Sequence, residues 1–302
     1  MIYLGLDTSN YTTSTAWFDG QHGENSGRLL SVKSGELGLR QSEALFQHVK
    51  QLPEILDALE FQKDVAAIGA STRPRAVEGS YMPCFLAGES LGKSLAKVLG
   101  VPFYEFSHQQ GHIAAVLYSA KCLHLLNSKM LVWHLSGGTT ELLYVESGLS
   151  ARKIGGTEDL SAGQLIDRTG RLLGLDFPAG KALDALALQA EVKPFPIKVQ
   201  EGVFSLSGME NQVQSRLQAG ASPAEIAAFT LASVCTAVKK ATEQALLRYG
   251  NLPVVFTGGV SANAMLRRVM KPLGGIFGSP QCSTDNAMGI AVLTYLAETN
   301  HG

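Results

Sequence analysis

The feature that most constrains this chain is a unit written twice: an apolar strand, a polar turn and a returning strand. The first copy runs Ile2–Leu6, Asp7-Thr8-Ser9-Asn10 and Thr13–Phe18. The second runs Leu131–Leu135, Ser136-Gly137-Gly138-Thr139-Thr140 and Leu142–Val145. The copies begin about 130 residues apart, one near the start of each half, which predicts two related domains whose opening turns face a shared cleft. Between them, Val65–Ser71 reads as a buried strand, Phe85–Leu99 as a helix, and Phe103–Phe106 as a strand running straight into another helix. In the second half Ser161–Leu173 and Ala182–Ala190 have helical apolar spacing. Pro223–Tyr249 reads as a long helix with Ser222 as N-cap, Pro223 at its first position and Gly250 closing it. Val254–Thr257 is a strand followed by a glycine turn and a helix, and Ser283 or Thr284 caps a last helix reaching about Leu296. Strands alternating with helices specify α/β layers, and the lack of any linker or low-complexity tract predicts closely packed halves.

Composition narrows the function. A length of 302 residues suffices for two domains, read as 1–124 and 125–302 with the last helix packing back on the first. With 45% apolar residues, no run approaching the roughly 20 needed to span a bilayer, and no basic leader or cleavage signal, the expectation is a cytoplasmic protein with no membrane partner. Cys84, Cys122, Cys235 and Cys282 form no Cys-x-x-Cys pair and read as buried thiols. A net charge of −1 excludes a nucleic-acid binder of the broadly basic kind, leaving only local patches such as Arg73/Arg75 or Arg267/Arg268/Lys271.

The chemistry concentrates in a few segments. His108 and His112 lie one turn apart on one helical face, which allows two imidazoles to share a metal ion, although a His-x-x-x-His pair alone is more often two unrelated histidines. Asp285, at the start of the last helix, serves as a cap or as a carboxylate completing a two-histidine, one-carboxylate site, a set that suits iron(II) or zinc. His134-Leu135-Ser136-Gly137-Gly138-Thr139-Thr140 and Val255–Asn263 are glycine turns whose backbone N–H groups can approach phosphate oxygens; a ligand-free turn is the plainer alternative for each. Asp167, inside a helix, sits on an ordinary solvated face or accepts bonds from ribose hydroxyls. A further turn at Leu175–Lys181 precedes Asp184.

Taken in order, these segments resemble the threonylcarbamoyl-transferase family of transfer-RNA modification. The family's His-x-x-Gly-His element is similar to His108–His112, its Val-Ser-Gly-Gly-His-Thr loop to Leu135–Thr140, and its Ala-Gly-Glu-Ala-Phe-Asp-Lys stretch to Ala162–Arg168. Its Gly-Leu-Asp-Tyr-Pro-Gly-Gly turn is similar to Gly174–Gly180, and its Phe-Ser-Phe-Ser-Gly element to Phe204–Gly208. Gly-Gly-Val-Ser-Ala-Asn is intact at Gly258–Asn263, and Cys-Thr-Asp-Asn is close to Ser283-Thr284-Asp285-Asn286. The resemblance implies an α/β fold of two actin-like domains, of the sugar-kinase and heat-shock-chaperone type, with a nucleotide cleft between them. It implies that His108, His112 and Asp285 bind one divalent metal ion, iron(II) ahead of zinc, and act catalytically through it. It implies that His134, Leu135, Ser136, Gly137, Gly138, Asp167, Gly180, Asp184 and Asn263 contact threonylcarbamoyl-AMP. The expected reaction transfers the threonylcarbamoyl group to N-6 of adenosine 37 in tRNAs reading A-starting codons, with small partner proteins assisting.

Departures from the family pattern mark a divergent paralogue. The first loop, usually Glu-Thr-Ser-Cys-Asp-Glu-Thr, is Asp7-Thr8-Ser9-Asn10-Tyr11-Thr12-Thr13 and has lost its acidic pair. Arg73-Pro74-Arg75 replaces Gly-Pro-Gly, Thr139 replaces a histidine, Gln164 a glutamate, and Leu160 an aspartate. Two alternatives therefore stand beside the transferase: an adenylate-binding regulatory subunit, and a carbamoyltransferase with another acceptor, to which Arg73 and Arg75 would be suited. A metallopeptidase lacks its motif, because Gln109 stands where His-Glu-x-x-His needs glutamate.

Overall fold

A computed structural model describes residues 1–9, 11–32, 39–60, 64–284 and 286–301, the side chains of 300 and 301 excepted. The chain divides into two units, Met1–Leu126 with Thr284–Gly302, and Asn127–Ser283. The sequence reading drew its boundary at 124/125; here the last helix is counted with the first unit. Among the described residues, no helix is long and apolar enough to cross a membrane.

The first unit is built on strands β1 (Ile2–Ser9), β2 (Thr12–Phe18), β3 (Gly23–Leu29), β4 (Val65–Arg73) and β5 (Phe103–Ser107), in the order β3-β2-β1-β4-β5. β1, β2 and β3 form an antiparallel meander, while β4 and β5 run parallel to β1. Every residue of β1 is buried, so its apolar side chains serve two faces rather than alternating with polar ones. Ile2, Leu4 and Leu6 pack with Ile68 and Ala70 toward helices α1 (Gln41–Asp57) and α2 (Leu86–Leu99). The other face carries Gly5 and Gly69. A Cβ on Gly5 would fall 2.4 Å from the amide nitrogen of Ala291, and one on Gly69 would fall 2.0 Å from the Thr294 hydroxyl. Only glycine lets the terminal helix lie this close to the sheet. That helix also packs on α3 (His108–Ser119), where Gly289 would place a Cβ 1.8 Å from the Gly111 carbonyl oxygen.

The second unit repeats the plan. It comprises β6 (Met130–Leu135), β7 (Thr140–Val145), β8 (Ala151–Thr157), α4 (Ala162–Leu172), α5 (Gly180–Ala187), β9 (Val203–Phe204), α6 (Ser207–Gln218), α7 (Pro223–Tyr249), β10 (Val254–Thr257), α8 (Ala264–Met270), β11 (Gly275–Phe277) and the short α9 (Pro280–Ser283); α10 (Met288–His301) returns to the first unit. Its sheet is ordered β11-β10-β6-β7-β8-β9. β6, β7 and β8 form the antiparallel meander, and β10 and β11 are the parallel strands beyond it. Strand for strand this is the order of the first unit, with β9 added at the edge. The predicted echo is therefore a repeat of topology. α7 lies under this sheet, with fourteen buried residues. Its buried Thr230, Ser233 and Thr242 hydroxyls donate to carbonyls four residues back, and Thr242 also accepts Trp133 Nε1–H at 2.9 Å, so none enters the core unpaired.

Ser222 caps α7 with a reciprocal bond to Glu225, Pro223 opens it and Gly250 closes it, as the spacing predicts. Of the two expected caps of the last helix, Ser283 does not serve as one. α10 begins at Met288, whose N–H donates to Asn286 Oδ1 at 3.1 Å, while Ala287 N–H donates to Asn25 Oδ1 at 2.9 Å. Ser283 Oγ is instead spent on the Ser279 carbonyl at 2.9 Å. Cys84 and Cys235 are buried thiols; Cys122 and Cys282 are only half-buried.

Candidate functional site

In the first unit the site begins at the junction of β5 and α3. Ser107 caps α3 by accepting the Gln110 N–H, and the Gln110 side chain returns the bond to the Ser107 N–H at 2.8 Å. This box sets the helix start, so His108 and His112 stand one turn apart with ring centroids 4.3 Å from each other and an interplanar angle of 70°. His112 is buried at 4% exposure, whereas the His108 side chain keeps 17%. Behind His108 lies Asp7, at the end of β1 and 2% exposed; its Oδ2 is 2.7 Å from His108 Nδ1. Its Oδ1 accepts Ser71 Oγ–H at 2.5 Å and the Ser9 N–H at 3.1 Å.

Two imidazoles on one helical turn, one of them backed by a buried carboxylate, have the donor chemistry of a transition-metal site. Among the described residues, no three His, Cys, Asp or Glu side chains cluster to hold an ion, and Asp285 lies outside the described residues. The donor chemistry of the His pair and its backing fits a transition-metal ion.

The departures of sequence lie close by. Arg73 pairs in register with Ser107, its Nη1 4.0 Å from Glu105 Oε2, and the Pro74 carbonyl accepts the Gln109 N–H at 3.1 Å. The Arg-Pro-Arg turn is therefore tied to the first turn of the histidine helix. In the first loop, Thr8 Oγ–H donates to the Cys84 carbonyl at 3.0 Å, and Thr13 joins His48 Nδ1 and Gln51 Oε1, both at 2.8 Å.

In the second unit the candidate adenylate residues are linked in a ring. The β6–β7 turn is closed by Ser136 N–H donating to the Thr139 carbonyl at 2.8 Å, and Gly137 and Gly138 face open space, where a Cβ would meet nothing within 4 Å. α4 abuts this turn: Ser161 Oγ–H donates to the Gly137 carbonyl at 2.7 Å, and a Cβ on Gly163 would strike the Ser136 oxygen at 2.4 Å. One turn further along α4, Asp167 Oδ1 accepts the Ala179 N–H at 2.9 Å, fixing the residue before Gly180. Burial raises the Asp167 pKa against the pull of that bond. One turn along α5 from Gly180, Asp184 accepts Asn263 Nδ2–H at 2.7 Å and the Ala264 N–H at 2.8 Å. The second glycine turn closes the ring. Gly258, at φ 88°, approaches β6 so nearly that a Cβ would lie 2.3 Å from the Leu135 oxygen, and His134 pairs in register with Thr257. The buried hydroxyls of Thr257 and Ser261 have no hydrogen-bond partner among the described residues.

Asp159 belongs to this unit too. Burial opposes its charge, but donors from the Ser205 and Ser207 side chains and from the Leu206 and Leu160 backbone outweigh that cost and hold its carboxyl well below the usual carboxylate range. Of the residues Arg267/Arg268/Lys271, Arg267 is engaged: its Nε–H and Nη2–H donate to the carbonyls of Ser261 at 3.0 Å and Gly278 at 2.8 Å. Sequence reasoning assigned no role to Asp7 or His48. The one available signal is that Asp7 is the single charged residue of β1.

The family model for tRNA N6-adenosine threonylcarbamoyltransferases matches residues 41–292. The tRNA N6-adenosine threonylcarbamoyltransferase of Granulibacter bethesdensis is 32% identical, across 95% of this chain and 86% of its own. Among solved structures, component A of the Acidaminococcus fermentans (R)-2-hydroxyglutaryl-CoA dehydratase superposes with a TM-score of 0.60 at 18% identity, covering 99% of both chains. Full-length HypF, in its phosphate- and nucleotide-bound form, gives a TM-score of 0.62 at 17% identity, over 99% of this chain and 55% of that one. These likenesses show the actin-like α/β fold that the sequence implies.

Proposed function

The chain belongs to the tRNA N6-adenosine threonylcarbamoyltransferase family, a family of transferases, and from that premise we propose that it transfers the threonylcarbamoyl group of threonylcarbamoyl-AMP to N-6 of adenosine 37 in tRNAs reading A-starting codons. The observation that carries this reading is the hydrogen-bonded ring of the second unit. His134–Gly138, Asp167, Gly180, Asp184 and Asn263, scattered across 130 positions of sequence, are joined there through Ala179, Ala264 and Gly258. In this reading the ring binds the adenylate. The open space at Gly137 and Gly138 admits the phosphate to backbone N–H groups, which stabilise the charge it gains as it leaves. The N-6 amine attacks the carbamoyl carbon and loses a proton, the bond to the phosphate oxygen breaks, and AMP departs with the electron pair. His108, His112 and Asp285 would hold one divalent ion, iron(II) ahead of zinc, which supplies Lewis acidity toward the carbamoyl oxygen when bound. Small partner proteins assist, and the reaction is cytoplasmic.

The test is AMP release from threonylcarbamoyl-AMP by metal-loaded protein and partner subunits, with and without tRNA, with modified adenosine scored by mass spectrometry. Modified adenosine is expected with wild type and absent with His112→Ala. A second reading, transfer to another acceptor or adenylate binding without transfer, is favoured by Arg73-Pro74-Arg75 at the base of α3 and by the loss of acid at Tyr11 and Thr12. AMP release without modified RNA would select another acceptor. Adenylate binding with no turnover would select the regulatory subunit.

A further inference from the structure

Along β1 the side chains alternate: Ile2, Leu4 and Leu6 enter the core beneath α1 and α2, while Gly5 lies against α10. Asp7 follows in the second series, on the side where α3 begins, and is 2% exposed. A carboxylate at that depth is stable only when its oxygens are satisfied. Oδ1 takes two donors, Ser71 Oγ–H at 2.5 Å and the Ser9 N–H at 3.1 Å, and Oδ2 faces His108 Nδ1 at 2.7 Å. A carboxylate can only accept, so the proton of a neutral His108 ring belongs on Nδ1 and the ring's lone pair on Nε2.

We infer that Asp7 is a positioning residue that locks His108 in the Nδ1–H tautomer and thereby makes Nε2 its ligating atom. The inference rests on His108 being a metal ligand, as proposed above. The Asp7 network makes the role unusually easy to invert. In Asp7→Asn the amide must turn its oxygen toward the Ser9 N–H, because a backbone N–H can only donate; Ser71 Oγ–H adds a second donor on that side. The amide NH2 then faces His108. A ring nitrogen that meets a donor must accept, so the proton moves to Nε2, the atom a metal would need bare. A change of one atom, with the shape kept, converts the ligand into its wrong tautomer.

The experiment is 15N NMR of the histidine rings in metal-free protein, read at an alkaline pH above which the ring shifts no longer change, with zinc(II) alone then titrated against a chromophoric chelator. Wild type is expected to show Nε2 of His108 as the unprotonated nitrogen. Asp7→Asn is expected to show Nδ1 in that state and to bind zinc at least about 10-fold more weakly. Asp7→Glu, which retains two accepting oxygens, is expected to keep the wild-type tautomer. Because the wild-type tautomer is itself a result, a variant that fails to fold does not shelter the inference. An Nε2–H tautomer in wild type, or one that does not move in Asp7→Asn, would overturn the role of Asp7 alone. A moved tautomer with zinc binding unchanged or absent throughout would overturn His108 as a ligand, and with it the metal reading beneath.

Discussion

His48 sits at 0% exposure on the buried face of α1. Thr13 has one hydroxyl proton and donates it to Gln51 Oε1, so His48 Nδ1–H must be the donor to Thr13 Oγ1; Nε2 has no hydrogen-bond partner among the described residues. Burial lowers the His48 pKa to about 4, against the opposing pull of the Asp7 charge and the Ser9 backbone. A histidine depressed in the fold contributes stability above its unfolded value of about 6.5, and loses it as pH falls toward 4. We expect urea titrations to show wild type losing up to about 3 kcal/mol more between pH 6.5 and 4 than His48→Gln does. Equal losses in the two proteins would remove the effect. Nothing in a single sequence signals this residue, because a lone histidine on an apolar helical face has no spacing to read. His108 and His112 were legible because their separation matches a helical turn. Asp7 was not, because the bond that gives it meaning spans 101 positions.

At the scale of elements, helix caps recur in one form, of which only the Ser222 cap was read from the sequence. Ser107, Ser161 and Ser222 each cap a helix with a partner three residues on. The second of these accounts for one sequence departure: Gln164, standing where the family carries glutamate, still closes its box through Oε1 to the Ser161 N–H. Ser107→Ala should cost about 1 kcal/mol and loosen the start of α3; a larger drop in metal affinity than in melting temperature would show that the cap sets His108 as well as the helix. Asp159 ties β8 to the start of α6. In Asp159→Ala the Leu206 and Ser207 amides should exchange hydrogen at least about 5-fold faster, for a loss on the order of 1 kcal/mol, while the α7 amides stay unchanged. What sequence missed at this scale has physical causes. β3 reads Gly-Glu-Asn-Ser-Gly-Arg-Leu, with no apolar alternation, and is held as a sheet edge by its backbone ladder to β2. α1 carries Pro53 within its span and exposes Phe46 and Val49, which blurs its pattern.

At the scale of the molecule, the recurring strand–turn–strand unit reported both sheets, because an opening meander and parallel strands beyond it follow from the same local pattern. The last helix, expected to pack back on the first domain, comes from the end of the chain and is counted with the first unit, where glycines admit it closely. Gly289→Ala would drive a methyl into the Gly111 carbonyl at 1.8 Å and the Ala115 nitrogen at 2.8 Å, both backbone atoms that cannot yield singly. We expect a loss of about 3 kcal/mol, read by denaturant midpoint. Gly137→Ala, meeting nothing within 4 Å, should leave that midpoint unchanged and disturb only what occupies the turn.

The membership of α10 in the first unit also fixes an order of birth. Residues 127–283 are contiguous and can close as soon as they leave the ribosome. The first unit, although its strands are made earlier, keeps one face of β1 and of α3 uncovered until residues 284 onward can pack there. Gly5, Gly69 and Gly111, which admit the late helix so closely, are bare backbone in that interval. Any factor that guards this protein during synthesis has its work at the end made first.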